Sequence, residues 1–172
     1  KDDKTLLFGQ TSAGFENLFT KNIKSDEPEK QITNEPKNCR SLTFNSDRTK
    51  AVFLCGSDQL MLLDLKTMKA SRIVKDEIWG IENSTPYFSP DDSYIMYTAH
   101  RHFEQDIFLY RIDDKQIYNI TNTGVTESNP FWSPDGKYIY FISDRTHPSY
   151  PYGSQNEKMY RMPLEKIAQP YR

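Results

Sequence analysis

Residues 131–141 read Phe131-Trp132-Ser133-Pro134-Asp135-Gly136-Lys137-Tyr138-Ile139-Tyr140-Phe141. An aromatic pair leads into Ser-Pro-Asp-Gly, and a largely apolar run follows it. Pro presets φ for the second position of a turn, Asp suits the third, and Gly accepts the left-handed conformation that comes next. The stretch therefore predicts two antiparallel strands joined by a tight turn, which we expect to be a three-residue loop with a β-bulge.

The same pattern recurs upstream along the chain. Residues 87–97 repeat it closely, residues 43–53 repeat it more loosely, and residues 2–8 form a shortened copy. The turn aspartates are spaced by 45, 44 and 44 residues, at Asp2, Asp47, Asp91 and Asp135. Because unrelated segments would not keep such a spacing, the chain is a tandem repeat of one structural module.

Each copy continues with two more short strands. The third strands are predicted at residues 17–23, 60–65, 107–112 and 159–164, and a polar turn precedes each fourth strand that can be recognised. Four short antiparallel strands in each ~40 to 50 residues predict a blade of a β-propeller. We therefore expect an all-β chain with blades at roughly 1–38, 39–83, 84–128 and 129–172.

The first copy lacks its opening strand, which gives three complete blades and one partial blade. We expect the chain to be a segment of a longer ring. The alternative is a four-bladed ring in which a strand from the other terminus completes the first blade.

Composition excludes several classes of protein. The 22 Lys and Arg nearly balance the 24 Asp and Glu, and neither sign forms a long block, so nucleic acid is not expected as a partner. No window approaches the ~20 apolar residues that span a bilayer, so we expect no membrane span. An aromatic content of 13% argues against disorder.

The hairpin of residues 132–139, the following Ile142-Ser143-Asp144-Arg145 and the strand end Ile120-Thr121 resemble the blade repeat of TolB-like propellers and tricorn-type proteases. Propellers of prolyl oligopeptidase relatives share the repeat more loosely. The resemblance covers essentially the whole chain, but it is specific to the fold because the motif is a folding device. Residues 144–164 look most like the tricorn-like peptidases of bacteria.

In tricorn-like peptidases a propeller feeds or filters peptides for a separate serine-protease region, which here would follow Arg172. The resemblance thus implies a non-catalytic propeller segment that gates or docks polypeptide substrates of a serine peptidase. The alternative is a stand-alone TolB-like scaffold that binds a protein partner. Bacterial relatives imply a periplasmic location, with the cytoplasm as the alternative.

The sequence contains no Gly-x-Ser-x-Gly elbow and no phosphate-binding Gly-rich loop, so we assign no catalytic residue and no cofactor. His100 and His102 would lie on the same side of an extended segment and could form half of a metal site. They raise a third hypothesis, a metal-dependent propeller lyase like those that act on pectin fragments. The Gln that these lyases place three residues before the first His falls on Tyr97. We favour a solvated loop and predict no metal.

Two cysteines make neither a disulfide framework nor a zinc site. If Asn45 faces Thr49 as Ser133 is expected to face Lys137, then Cys39 lies opposite Cys55 across the hairpin. The Cα–Cα distance between directly opposed residues of an antiparallel pair suits a disulfide. The alternative is that both thiols are free and act as small buried hydrophobes.

Candidate binding residues come from two classes of connection. Connections between blades lead to the first strand, which lines the central channel of propellers, and they contribute Arg40, Trp79, Glu82, Asn83, Glu127 and Asn129 as candidates for the channel or its mouth. These residues could equally solvate the rim. We also expect insertions between the second and third strands, in residues 99–106 and 143–157, on one face. Their candidates are His102, Arg145, Tyr150 and Tyr152.

Overall fold

A computed structural model describes residues 4–79, 84–148 and 156–164 of the chain. Within those ranges it contains β-strands joined by turns and loops, and no helix. The strands are β1 (Thr5–Ser12), β2 (Phe15–Asn22), β3 (Lys30–Gln31), β4 (Cys39–Phe44), β5 (Lys50–Cys55), β6 (Gln59–Asp64), β7 (Lys69–Lys75), β8 (Tyr87–Phe88), β9 (Tyr94–Arg101), β10 (Glu104–Arg111), β11 (Ile117–Asn119), β12 (Glu127–Trp132), β13 (Tyr138–Ser143) and β14 (Lys158–Pro163).

These strands form four antiparallel sheets, each with its strands in sequence order. The sheets are β1-β2-β3, β4-β5-β6-β7, β8-β9-β10-β11 and β12-β13-β14. The all-β prediction of a partial propeller with about four blades is confirmed. The predicted third strands correspond to β2, β6, β10 and β14. The exact blade boundaries stay a prediction, and we call the four sheets blades 1 to 4.

The sheets pack face to face through alternating side chains. In β5, Val52 and Leu54 join a core with blade 3, whereas Ala51 and Phe53 join a core with blade 1. A third core joins blades 3 and 4. Because a strand covered on both faces needs apolar side chains at every position, residues 51–55 form an uninterrupted apolar run.

The loop of the Ser-Pro-Asp-Gly hairpin is longer than predicted. The N–H of Ser133 donates to the carbonyl of Tyr138 at 2.9 Å, so the loop contains four residues rather than three. The carboxylate of Asp135 accepts the hydroxyl of Ser133 at 2.6 Å and the N–H of Lys137 at 3.1 Å. Gly136 has a φ of 71°. The loop closes over Asp135, which confirms that this aspartate forms the turn.

A bulge corrects the register that the longer loop changes. Register shifts occur between Arg40 and Thr43 in β4, and at the equivalent place in β12. Beyond the bulge, Cys39 pairs with Cys55, and the two form a disulfide with a Cα–Cα distance of 4.1 Å. The predicted proximity is confirmed, although the loop was expected to be one residue shorter. Of the two alternatives, the structure contains the bond.

The prediction of an inserted loop in residues 99–106 is wrong. The turn between β9 and β10 consists of His102 and Phe103 alone, because β9 extends to Arg101 and β10 begins at Glu104. The additional residues therefore lengthen two strands instead of forming a loop. Residues 144–148 are outside the strands, as predicted, and residues 149–155 lie outside the described ranges.

Candidate functional site

One end of the blades, which we call the upper face, carries the connections between blades. Because neighbouring strands are antiparallel, the chain enters the first strand of a blade at the same end as the turn between its second and third strands. In blade 3, residues 76–79 and the turn at 102–103 therefore share the upper face. The opposite end, with the Ser-Pro-Asp-Gly turns, is the lower face.

Trp79 presents an aromatic surface on the upper face. Its indole stacks on the ring of His100 with centroids 5.0 Å apart and an interplanar angle of 28°. The backbone N–H of His100 donates to the carbonyl of Glu77 at 2.9 Å, which holds the connection against β9. Trp79 nevertheless remains 45% exposed. The stack thus fixes the indole in place while leaving much of it in contact with solvent.

Phe103 lies at the tip of the β9–β10 turn and is 88% exposed. His102 has a φ of 53° and Phe103 a φ of 73°. Two-residue hairpin turns with positive φ at both positions normally contain Asn-Gly, because a side chain in the left-handed region costs ~1 to 2 kcal/mol. Backbone strain that holds an aromatic ring in water points to a binding role rather than to stability.

An ion pair secures the connection beneath these aromatic rings. Arg101 binds Asp76 through both nitrogens, at 2.7 Å from Nη1 to Oδ1 and 2.9 Å from Nη2 to Oδ2. Its guanidinium also lies 4.5 Å from the ring centroid of Phe108. The hydroxyl of Tyr97 donates to Asp76 at 3.3 Å. Burial, reinforced by the charge of Asp76, raises the pKa of Tyr97 well above its usual range, so the phenol stays a neutral donor.

A second arginine occupies a similar position in blade 4. Nη2 of Arg145 lies 2.7 Å from Oε1 of Glu127, which is fully buried. The guanidinium also lies 4.8 Å from the ring centroid of Phe141 and 5.0 Å from that of Tyr160. The hydroxyl of Thr123 donates to the same Glu127 oxygen at 2.6 Å. The arrangement neutralises a buried carboxylate on the upper face.

Hydrogen bonds connect these two clusters across the blades. Nε2 of Gln105 donates to the carbonyl of Glu127 at 2.8 Å. The hydroxyl of Thr126 donates to the carboxylate of Glu104 at 2.5 Å. The strained hairpin of blade 3 is therefore anchored to the connection that enters blade 4, and the upper faces of the two blades form one hydrogen-bonded surface.

The structure places the candidates from the sequence at several different locations. Trp79, His102 and Arg145 lie on the upper face, whereas Glu127 is buried beneath it. Asn129 is exposed in the bulge of β12, with a φ of 50°. The prediction that the connection residues line a channel or its mouth stays a prediction.

Other candidates are in different surroundings. Nη1 of Arg40 donates to the carbonyl of Gly56 at 2.6 Å, and burial lowers the pKa of Arg40. Glu82, Asn83, Tyr150 and Tyr152 lie outside the described residues. His100 and His102 are not joined by a third ligand, since no three His, Cys, Asp or Glu side chains of the described ranges are grouped to hold a metal ion.

Sequence reasoning missed Phe103 and Asp76. Phe103 falls within residues 99–106, which were expected to form an insertion, and no Gly or Asn marks the position of the two-residue turn. Asp76 and Arg101 are 25 residues apart, and no local pattern connects them. The positive φ at the turn is the structural signal that separates Phe103 from an ordinary strand residue.

The architecture is that of a β-propeller, and the sequence assigns it to a family. Residues 52–166 match the TolB beta propeller domain (PD40). The chain therefore belongs to the TolB beta propeller domain family. The comparison with curated proteins gave no significant match.

Solved structures share the fold at low sequence identity. TolB from Acinetobacter baumannii is 20% identical with a TM-score of 0.65, over 95% of this chain and 39% of that one. The tricorn protease is 18% identical with a TM-score of 0.65, over 82% of this chain and 14% of that one. An oligogalacturonate lyase from Vibrio parahaemolyticus is 18% identical with a TM-score of 0.66, over 83% of this chain and 43% of that one. This chain thus spans about two fifths of the TolB structure.

Proposed function

We propose that this propeller segment docks a polypeptide on its upper face, with Phe103 and Trp79 as aromatic anchors. The observation that carries the proposal is the 88% exposure of Phe103 on a turn with two positive φ angles. Aromatic side chains dominate the energetics of protein interfaces because they bury a large area with few rotatable bonds. Membership of the TolB beta propeller domain family supports a protein partner.

Preorganisation of the surface supports the same proposal. The Arg101–Asp76 pair and the Trp79–His100 stack hold the anchors before a partner arrives. Rigid anchors lose less conformational entropy on binding, so more of the contact energy remains for affinity. We also propose that the channel candidates and the loop candidates contribute to partner binding, and these are Arg40, Glu82, Asn83, Glu127, Asn129, His102, Arg145, Tyr150 and Tyr152.

Two versions of this function fit the fold. In one, the segment gates or docks polypeptide substrates for a tricorn-like serine peptidase. In the other, it is a TolB-like scaffold that binds a protein partner. The TolB and tricorn structures match with the same TM-score of 0.65, so the fold favours neither. A gene that encodes a serine-protease region after Arg172 would support the first version, and a gene without one would support the second.

The Cys39–Cys55 disulfide bears on location. Disulfides persist in oxidising compartments and are rare in the cytosol. The bond is buried, since Cys39 and Cys55 are 1% and 0% exposed. We therefore propose a periplasmic location. Cell fractionation with compartment markers tests it, and recovery in the cytosol with both thiols reduced would contradict it.

The docking proposal is tested with a peptide selected from a displayed library against the purified chain. Phe103→Ser is expected to weaken binding at least tenfold, the loss typical of an anchor residue. Ile117→Ser is the control, because Ile117 is another exposed hydrophobic residue, 45% exposed, but lies in the outer strand β11. Equal affinity of the Phe103 variant and wild type would overturn the proposal. Cleavage of the peptide by the chain would contradict the non-catalytic assignment.

Metal analysis of the same preparation addresses the lyase hypothesis. His100 is stacked on Trp79 and His102 belongs to the strained turn, so the two imidazoles have different surroundings. We expect a metal content near zero after purification without chelator. One metal ion per chain, lost in a His100→Ala variant, would revive the lyase hypothesis.

A further inference from the structure

On the lower face, the hairpin loops of neighbouring blades lie side by side. Between blades 2 and 3, the carboxylate of Asp92 accepts the backbone N–H of Ser46 at 3.0 Å and the hydroxyl of Ser46 at 2.5 Å. It also accepts Nδ2 of Asn45 at 3.3 Å. One carboxylate thus crosses the gap and joins the two loops.

Between blades 3 and 4 the same bond cannot form. Pro90 stands at the position of Ser46 and has no backbone N–H. Gly136 stands at the position of Asp92 and has no carboxylate, and a Cβ built on it would lie 3.7 Å from Cδ of Pro90. Both partners are missing, and a cleft of about 480 Å³ lies between the loops.

The lining of this cleft combines aromatic rings with acidic groups. Tyr94 and Trp132 contribute aromatic surface, and Asp91 and Asp135 contribute carboxylates. Hydrogen bonds, above all from the hydroxyls of Ser89 and Ser133, lower the pKa of both aspartates, so they are ionised at neutral pH.

The basic groups at the cleft offset this charge only in part. Lys137 is in the lining, and its charge contributes to the lowered pKa of Asp135. Arg111 interacts with the hydroxyl of Tyr94, but its charge is matched by its ion pair with Asp114. Among the residues that the structure describes, two lining carboxylates face one ammonium, so this part of the lining has an excess of negative charge.

The upper face of the same chain contains two examples of what fits such surroundings. The guanidinium of Arg101 contacts the ring of Phe108 while it pairs with Asp76. The guanidinium of Arg145 contacts two rings while it pairs with Glu127. A planar cation can stack on an aromatic face and donate to a carboxylate at once, which an ammonium does less well.

We infer that the cleft between blades 3 and 4 binds an arginine side chain of a polypeptide partner. The guanidinium enters between Asp91 and Asp135 and packs against Trp132 and Tyr94. The site lies on the opposite face from the proposed docking surface, so the two proposals are independent.

Fluorescence of Trp132 provides the readout. The chain has two tryptophans, so Trp79→Phe leaves Trp132 as the only one. The probe is the blocked tripeptide acetyl-Gly-Arg-Gly-amide, and the control is the same peptide with citrulline, which is neutral and nearly isosteric. We expect saturable binding of the arginine peptide with a Kd on the order of millimolar, because a single side chain makes the contact. The citrulline peptide is expected to bind at least tenfold more weakly. Equal responses to both peptides would overturn the inference.

A closure variant tests the location. Pro90→Ser with Gly136→Asp copies the Ser46–Asp92 bond into the cleft, and Asp92 shows that Asp accepts this backbone with a φ of 59°. We expect the variant to keep its melting temperature and to bind the arginine peptide at least tenfold more weakly. Undiminished binding would overturn the inference.

Lys137→Gln gives an independent measurement that does not depend on the closure variant folding. It removes the competing cation from the cleft and is expected to tighten binding about threefold, the scale of one exposed charge interaction. Ser71→Ala, on an exposed position of β7, is the control and is expected to leave binding unchanged. Unchanged or weaker binding by the Lys137 variant would count against a cationic ligand.

Discussion

Arg101 forms a bidentate ion pair with Asp76, which lies in the connection between two blades. The pair attaches that connection to β9, the strand in which His100 stacks on Trp79. A single contact therefore links the stability of the interface between blades to the geometry of the proposed docking surface.

Replacing Arg101 by Ala is expected to lower the free energy of unfolding by ~1 to 2 kcal/mol. The substitution leaves the carboxylate of Asp76, which is largely buried, with Tyr97 as a remaining donor. Arg101→Lys is expected to lower the free energy of unfolding by about half as much, because an ammonium cannot bind both carboxylate oxygens in the same plane. Urea denaturation measures both changes.

Arg161→Ala is the control for Arg101. Arg161 also lies over an aromatic ring, 4.6 Å from the centroid of Tyr138, but it is exposed. We expect its loss to change stability by less than ~0.5 kcal/mol. A larger effect of Arg161 than of Arg101 would show that the contact with the ring, rather than the ion pair, stabilises the connection.

The disulfide is expected to stabilise the hairpin of β4 and β5 by ~3 kcal/mol, since it closes a loop with a sequence separation of 16 residues. Cys39→Ala with Cys55→Ala is the appropriate variant, because Ala99 occupies the position in β9 that is equivalent to Cys55. Urea denaturation of the oxidised protein and the variant measures the difference. Thiol titration of the unreduced, denatured protein should find no free thiol, and two thiols per chain would contradict the bond.

The repeat predicts the sheets but not every register. It assigns the strand order, which depends on periodicity alone, whereas the opposition of Cys39 and Cys55 also depends on the assumed length of the turn. It cannot distinguish a three-residue from a four-residue loop, since both are compatible with Ser-Pro-Asp-Gly. Two offsets cancel: the longer loop shifts the register by one, and the bulge before Thr43 shifts it back. The correct cysteine pair thus came from an incomplete picture of the hairpin.

The candidate site was predictable only in part, for a different reason. Trp79 follows from its place in a connection between blades, which topology locates on one face. Phe103 and the Arg101–Asp76 pair depend on where a turn falls and on how a connection folds back. Such contacts are set by packing between distant segments, which a local pattern does not contain.

Acid stability is expected to depend on the loop aspartates. Hydrogen bonding lowers the pKa of Asp91 and Asp135 from the ordinary value of 3.8. The folded state therefore binds fewer protons than the unfolded state near pH 4, so this stabilisation is present above that pH and is lost as the pH falls through the folded pKa. The melting temperature should be nearly constant from pH 7 to 5 and fall below about pH 4.

Ser133→Ala removes the largest cause of the lowered pKa of Asp135. The pKa of that carboxyl should rise towards its ordinary value, and the fall of the melting temperature below pH 4 should become shallower. Carboxyl chemical shifts measured by NMR follow Asp135 directly. Ser71→Ala should leave the titration unchanged, and an equal change in both variants would show that the effect is not local.

The turn at His102 and Phe103 is expected to lower the stability of the folded chain while it contributes to peptide binding. His102→Asn with Phe103→Gly supplies the residues that a two-residue turn with positive φ prefers, and should raise the free energy of unfolding by ~1 to 2 kcal/mol. The same variant should bind the selected peptide at least tenfold more weakly, because the exposed ring is lost. Phe103→Ser separates the two effects, since it removes the ring but keeps a side chain in the left-handed region. It should lose binding with little gain in stability. If the Asn-Gly variant proves less stable than the wild type, the turn is not strained, and the exposed phenylalanine needs a structural explanation.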